Sequence, residues 1–472
     1  MSVDRASVGL RSERGPVLVA LMVTTGLVAI DSTILATAVP TIVRELGGFS
    51  SFPWLFSLYL LTQAVTVPIY SKLADTMGRK PVVLIGIALF GLGSVLCGVA
   101  WSMPALIAFR AVQGLGAGAV QPMAVTIAGD IYTVAERAKV QGYIASVWAI
   151  SSVVGPTLGG LFSQLLSWRW IFFVNIPLCL VAAWLLWRRL HEDIDRRPHR
   201  IDWAGGVLLT ASLSMLILGI LEGGNGWAWA SVPSVSVLGG GLLLLVAFLL
   251  VERRAVEPVL PLRLLSRRLL ATAALISVGV GVVLIGLTSY IPSFLEAFLG
   301  VTPLVSGLTL ALLTIGWPIT ASQSGRIYLR AGFRTTALIG TTIVVVGCIG
   351  LLLSTRSPSL LTVGASCFVV GAGLGLTASP TLIAAQSSVD WGERGVVTGA
   401  NLFSRSIGSA VGVAVLGAIV NGALRGADGA THPAQLQVAV ERALAAVLVV
   451  ALLTVVAAYA MPRDRGQGVP PG

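Results

Sequence analysis

Charge is what this chain has least of. Of its 472 residues only 11% are Asp, Glu, Lys or Arg, against 56% hydrophobic, and the mean hydropathy is +0.91. Soluble domains carry about a quarter charged residues. A chain this poor in charge cannot cover its apolar surface in water, so a soluble globule is excluded and a polytopic membrane protein remains. Histidine is nearly missing: His191, His199 and His432 are the three, and all fall in loops. The four cysteines, Cys97, Cys179, Cys348 and Cys367, lie inside apolar runs without metal-ligand spacing. They read as small packing residues. No metal site, no cofactor and no enzyme is expected. The net charge of +11 does not point to nucleic acid, because the basic residues sit in short loops and form no stripe.

What is present is a series of fourteen apolar runs, roughly 16–38, 53–71, 81–101, 104–128, 141–166, 169–188, 202–222, 233–251, 270–295, 303–323, 335–354, 359–386, 396–421 and 441–460. Such runs span a hydrocarbon core of ~30 Å as helices. Barrel strands would be about half as long. The first run is too long for the apolar core of a cleavable signal. Lys and Arg then sort by side. With the N-terminus in the cytoplasm, Lys72/Arg79/Lys80, Arg137/Lys139, Arg188 to Arg200, Arg253 to Arg268 and Arg326/Arg330/Arg334 are all cytoplasmic. Only Arg44, Arg169, Arg356, Arg425 and Arg442 fall outside. The positive-inside rule therefore predicts a multi-pass protein of the inner or plasma membrane with both termini in the cytoplasm.

The runs repeat. Glu136-Arg137 with Gly142 returns as Glu393-Arg394 with Gly399, and the same offset carries Gly155 to Gly412 and Gly160 to Gly417. The loop Ser71 to Gly78 is echoed by Gly325 to Gly332. Spans one to six thus match spans nine to fourteen, and seven and eight have no counterpart. The expected architecture is all-α: a six-helix bundle over 1–190, two inserted helices with their loops over 191–268, a second bundle over 269–461, and a disordered tail over 462–472. Repeats of this kind place a transport site at their interface near the midplane.

Four stretches stand out, three inside the spans and one in a loop. Asp31 lies roughly 21 Å in from Pro16, and Arg110 roughly 9 Å in from the opposite end of its span near Pro104, at 1.5 Å per residue. The two depths nearly match, and buried charges in membranes pair or face a cavity. Gln113 and Gly114 follow Arg110, and Gly114 to Gly118 reads as a small-residue packing face. Asp75, Gly78, Arg79 and Lys80 form the loop after span two. In span five, Gly155, Pro156, Gly159 and Gly160 combine a proline that removes a backbone hydrogen bond with a bare face open to a close neighbour.

Together these stretches resemble the fourteen-span drug:proton antiporter family of the major facilitator superfamily. They are Ala29 to Ile34 with Ala38-Val-Pro40, the loop Ser71 to Lys80, Arg110 to Gly114, and the Gly155-Pro156 stretch extended by Ser167-Trp-Arg-Trp170 and Asn175-Ile-Pro177. The resemblance implies a monomeric proton-coupled antiporter, working by alternating access, that exports amphipathic, cationic drugs or other small molecules. Protons are then the coupling ion, and partners are small molecules and the bilayer. It implies protonation and substrate binding at Asp31, proton coupling at Arg110, and a cytoplasmic latch in which Asp75 holds a helix end or a basic partner and Asp130 holds Arg79. Ser71 stands where the family has glycine and Thr76 where it has a basic residue, so the latch is expected to be looser. Glu222 and Glu296, at the outer ends of spans seven and nine, are further carboxylates, and Glu222 is a second coupling candidate. Arg405 is the one clear charge within span thirteen, where some relatives carry acids. A lipid or dedicated-metabolite exporter, and a non-transporting membrane sensor, are the alternative readings.

Overall fold

A computed structural model describes residues 9–132, 134–190, 192, 202–224, 226–255, 258, 260, 262–389, 394–424 and 433–463. Fourteen long helices carry the chain: α1 (Gly15–Leu46), α2 (Pro53–Met77), α3 (Arg79–Gly98), α4 (Met103–Ile131), α5 (Val134–Leu165), α6 (Asn175–Arg189), α7 (Trp203–Glu222), α8 (Val232–Glu252), α9 (Arg268–Leu299), α10 (Pro303–Ala331), α11 (Phe333–Ser354), α12 (Leu360–Ser387), α13 (Arg394–Leu424) and α14 (Pro433–Ala460). Among the described residues thirteen helical spans are long and apolar enough to cross a membrane by length and composition, and α2 is the exception. Thr62, Gln63 and Thr66 lower its hydropathy, yet its 25 residues pack along α4 and α13 as the other spans do. His191, His199 and His432, and the tail from residue 464, lie outside the described residues.

The repeat read from the glycines is visible in the packing. α1 lies on α5 as α9 lies on α13; α4 lies on α2 and α3 as α12 lies on α10 and α11. The helix stops repeat too. Gly78 (φ 98°) ends α2 and Gly332 (φ 83°) ends α10, both in the left-handed region that glycine adopts without strain. The inserted pair sits outside this scheme. α7 lays Leu209, Leu213, Ile217 and Leu221 against Leu61, Val65, Ala410 and Ala414 of α2 and α13. α8 packs on α7 and exposes Val235, Leu242, Leu243, Val246 and Leu250.

The bundles meet along two matched seams, α5 with α10 and α13 with α2. A Cβ added at Gly160 would stand 2.6 Å from Leu304 Cα, and one at Gly417 would stand 2.7 Å from Pro53 Cγ. Ser57 donates to the Ala410 carbonyl at 3.0 Å, and Asn421 to the Ser50 carbonyl at 2.8 Å. Phe52 meets Tyr290 edge-on with centroids 5.3 Å apart. All these contacts fall on the side of the bundle away from the start of α1 and the end of α14. The structure is closed on that far side.

Candidate functional site

Two glycines of α3 and α4 set the site. A Cβ at Gly93 would come within 2.5 Å of the Gln113 backbone, and one at Gly116 within 2.3 Å of the Phe90 backbone. Their absence of side chains lets α3 and α4 close until Ser94 and Gln113 touch. Gly114 and Gly118 do the same for α4 against Thr62 and Thr66 of α2, as the small-residue face predicts. α1 then delivers Asp31, and the N-terminus of α6 delivers Asn175.

These residues form one closed network. Arg110 Nη1 donates to Asp31 Oδ2 at 2.8 Å and to Gln113 Oε1 at 2.6 Å. Gln113 Nε2 donates to Asp31 Oδ1 at 2.8 Å and to Ser94 Oγ at 2.9 Å. Asn175 Nδ2 donates to Asp31 Oδ1 at 3.1 Å. Arg110 Nε donates to the Leu55 carbonyl at 3.2 Å, and its guanidinium lies 4.0 Å from the Tyr59 ring centroid. Cys97 Sγ rests 3.9 Å from Gln113 Oε1. Asp31 and Arg110 are each 1% exposed, so the pair is sealed and its charges cancel in place. A buried pair survives only when its other donors and acceptors are also satisfied. One acceptor is not: the buried Asn175 Oδ1 has no hydrogen bond.

The Gly155 to Gly160 stretch of α5 leans on α1 just above this network. A Cβ at Gly155 would fall on Thr33, and one at Gly159 would meet Thr37 and the Ile34 carbonyl. Thr33 Oγ1 donates to the Ser151 carbonyl at 3.1 Å, and Thr37 Oγ1 to the Pro156 carbonyl at 3.4 Å. Gly307 of α10 packs on that same Pro156 carbonyl and on Thr37. Gly155 and Gly159 thus face α1, while Gly160 faces the other bundle.

The remaining candidates fall elsewhere. Glu222 lies at the far end of α7, where it accepts from Trp54 Nε1 at 3.3 Å, and does not join the network. Glu296, at the far end of α9, accepts from Ser306 at 3.0 Å and stands 3.9 Å from Arg44. The side chains of Asp75 and Asp130 lie outside the described residues. Arg79 Nε stands 4.0 Å from Glu192, whose carboxylate also accepts from the backbone N–H groups of Arg79 and Lys80 at 2.7 and 3.1 Å. Lys80 donates to the carbonyls of Trp187 and Leu190 at 2.8 Å each. Glu192 was invisible as a partner in sequence, because a loop acid has no helical spacing. Ser94 and Asn175 were missed as network members for a different reason: neutral polar residues are common in spans. The Ser167 to Trp170 motif ties the α5–α6 corner to α1, with Trp168 Nε1 donating to Glu45 at 2.7 Å and Arg169 paired with the same acid.

Two repeated helical bundles that meet on one side, the first of them holding a sealed charge pair, describe a membrane transporter. Residues 21–413 match the model of the Major Facilitator Superfamily, and the chain belongs to that family. It is 34% identical to the multidrug transporter protein MdtP of Bacillus subtilis over 413 residues, 88% of this chain and 76% of the relative. It is 35% identical to multidrug resistance protein 3 of the same organism over 393 residues, covering 83% and 76%. Solved structures share the fold at low identity. A D-xylose-proton symporter aligns with TM-score 0.68 at 12% identity over 96% of this chain and 99% of that one. A bacterial homologue of the lysosomal transporter Spinster, inward-facing and unoccupied, aligns with TM-score 0.67 at 17% identity over 96% and 98%. The chain is a transporter and not an enzyme.

Proposed function

We propose that this transporter exports amphipathic drug-like molecules in exchange for protons, and that Asp31 carries the proton. The relatives named for multidrug transport support the substrate class. The observation that carries the coupling is the Asp31 network: an acid at mid-span whose three donors come from α4 and α6. When Asp31 takes a proton, Arg110 keeps the Leu55 carbonyl, Gln113 Oε1 and the Tyr59 ring, so its charge is not stranded. The new O–H needs an acceptor. Turning the Asn175 amide over presents Oδ1, the atom without a bond in the ionised arrangement. Protonation therefore gives that acceptor a partner and removes the ionic bond that holds α1 to α4.

α1 carries that change to the seam. Thr37 is under two turns beyond Asp31 and is wedged between Pro156 and Gly307. Release of α1 loosens the wedge at the far-side closure, and re-ionisation restores it. Alternating access follows from moving one bundle against the other about seams made of glycine and backbone. In this reading the protein is a monomer of the cell membrane with both termini in the cytoplasm, and the far side faces out. Tags at Ser2 and Gly472 inaccessible from outside, with a tag between 223 and 231 accessible, support that topology; an external Gly472 tag overturns it.

The coupling is tested with Asp31→Asn in vesicles under an imposed proton gradient. The variant is expected to fold, to exchange substrate down its own gradient, and to lose proton-driven export. Wild-type proton-driven export by the variant overturns the assignment of Asp31.

A further inference from the structure

The mid-span arginine of the second bundle has no part in that scheme. Arg405 lies eleven residues into α13, about 16 Å along the helix at 1.5 Å per residue. Its helix face is set by its neighbours. Thr398, two turns earlier on the same stripe, accepts a hydrogen bond from Gln386 of α12 at 2.7 Å. Ser409, one turn later, is buried and sits against Gly281 of α9, as does the Arg405 carbonyl. The opposite stripe, Phe403, Ile407 and Val411, packs with α2 and α7. Arg405 therefore looks between α9 and α12 into the interior of its bundle, and it remains part-exposed there.

No carboxylate is at hand. Among the described residues the helices α9 to α14 contain two acids, Glu296 and Glu441. Glu296 is in the last turn of α9 and bonded to Ser306, and Glu441 is in the third turn of α14; both lie toward the far side. Asp31 is committed to Arg110. Arg405 itself makes no hydrogen bond, ion pair or ring contact among the described residues. An arginine at mid-span without a counter-charge is expensive and marks a ligand path by default. Its guanidinium is a planar fork that matches a carboxylate or a phosphate with two parallel bonds.

We propose that Arg405 is the recognition site for an acidic group on the substrate, so that the cargo is an anionic or zwitterionic amphiphile carrying a carboxylate or comparable oxyanion. This deepens the export reading and rests on it for the word cargo, while the binding itself stands apart from proton coupling. It also reverses the cationic preference expected from the resemblance, because the interior charge left over is positive.

The test uses the full chain in detergent and three probes: a dansyl-labelled dodecanoic acid, its primary amide, and its trimethylammonium analogue. The wild type is expected to bind the acid at least tenfold more tightly than the amide, and the ammonium compound most weakly. Arg405→Gln should remove the preference for the acid and leave amide binding within twofold; Arg405→Lys should retain part of it. A dansyl dodecyl phosphate run beside the acid tells carboxylate from phosphate recognition. A wild type that does not favour either anion over the amide, or an Arg405→Gln variant that still does, overturns the proposal. Flux of the same probes in vesicles is read separately: anion-selective binding without proton-driven flux leaves the site standing and removes the export reading.

Discussion

In the N-terminal bundle the buried Arg110 has a carboxylate, an amide oxygen, a backbone carbonyl and an aromatic ring; in the C-terminal bundle the part-exposed, mid-span Arg405 has none of these among the described residues. The two bundles share helix order, glycine positions and helix stops, so the difference is not one of architecture. It shows that a repeated scaffold can hold an internally neutral pair on one side and an open charge on the other. The first is complete within the protein, with every charge answered by a side chain or carbonyl of the same bundle. The second leaves its guanidinium without a partner among the described residues.

The sharpest way to break the comparison is to make the same substitution in both halves. Arg110→Leu leaves Asp31 as a buried, uncompensated carboxylate, and loss of one partner of such a pair costs about 3–5 kcal/mol. We expect a large fall in melting temperature in detergent, or loss of folded protein. Arg405→Leu removes a charge that has no partner, so the melting temperature should hold or rise. Equal falls in both variants would erase the distinction.

The two seams offer a finer contrast. At Gly160 a new side chain meets the Leu304 Cα and the Pro303 carbonyl, backbone that cannot step aside. At Gly417 it meets the ring carbons of Pro53 and a methyl of Leu221, which can give. Overpacking costs about 1–3 kcal/mol, and we expect Gly160→Leu to reach the top of that range and stop export, with Gly417→Leu slower but active. Equal export by the two variants would mean that the seams open differently from how they are packed.

Asn175→Leu probes the proton exchange. It removes one donor to Asp31 and the acceptor that the protonated acid would use, a loss of about 1–2 kcal/mol, or roughly tenfold in rate. Proton-driven export should slow by that amount, while substrate exchange without a proton gradient is spared. Slowing of both alike would make Asn175 a packing residue only. The smallest effect belongs to Glu192→Gln. The carboxylate caps the N-terminus of α3, and a charge there is worth about 0.3–1 kcal/mol. A shift of a degree or two in melting temperature with export intact is the expected result.

Much of this could be read before any coordinates. Apolar runs separated by basic loops outline the helices because lipid admits little else, and the glycine offsets disclose the two matched halves. Asp31 and Arg110 were legible as neighbours because depth in a span follows directly from residue count. α2 was the weakest of the runs, since Thr62, Gln63 and Thr66 lower its hydropathy while serving its contacts with α4. Ser94 stayed hidden because its role depends on α3 and α4 being drawn together at Gly93, and Asn175 because it reaches Asp31 from a separate helix, tertiary facts with no local pattern. Glu222, at a span end, read as a second coupling candidate beside the mid-span Asp31, and the fold places it with Trp54 instead. The open state of Arg405 was equally unreadable, because being unpaired is a property of everything around a residue.

The bundles are joined in a way that bears on how such a protein can diverge. Ser57 and Asn421 reach across to the carbonyls of Ala410 and Ser50, Gly307 packs on the Pro156 carbonyl, and the glycines of both seams lie against main chain or a proline ring. A main-chain acceptor survives replacement of the side chain it belongs to. Sequence drift at Ala410 or Ser50 therefore leaves those joints bonded, and lineages can rewrite the residues that greet cargo without having to reinvent the joints about which the halves turn.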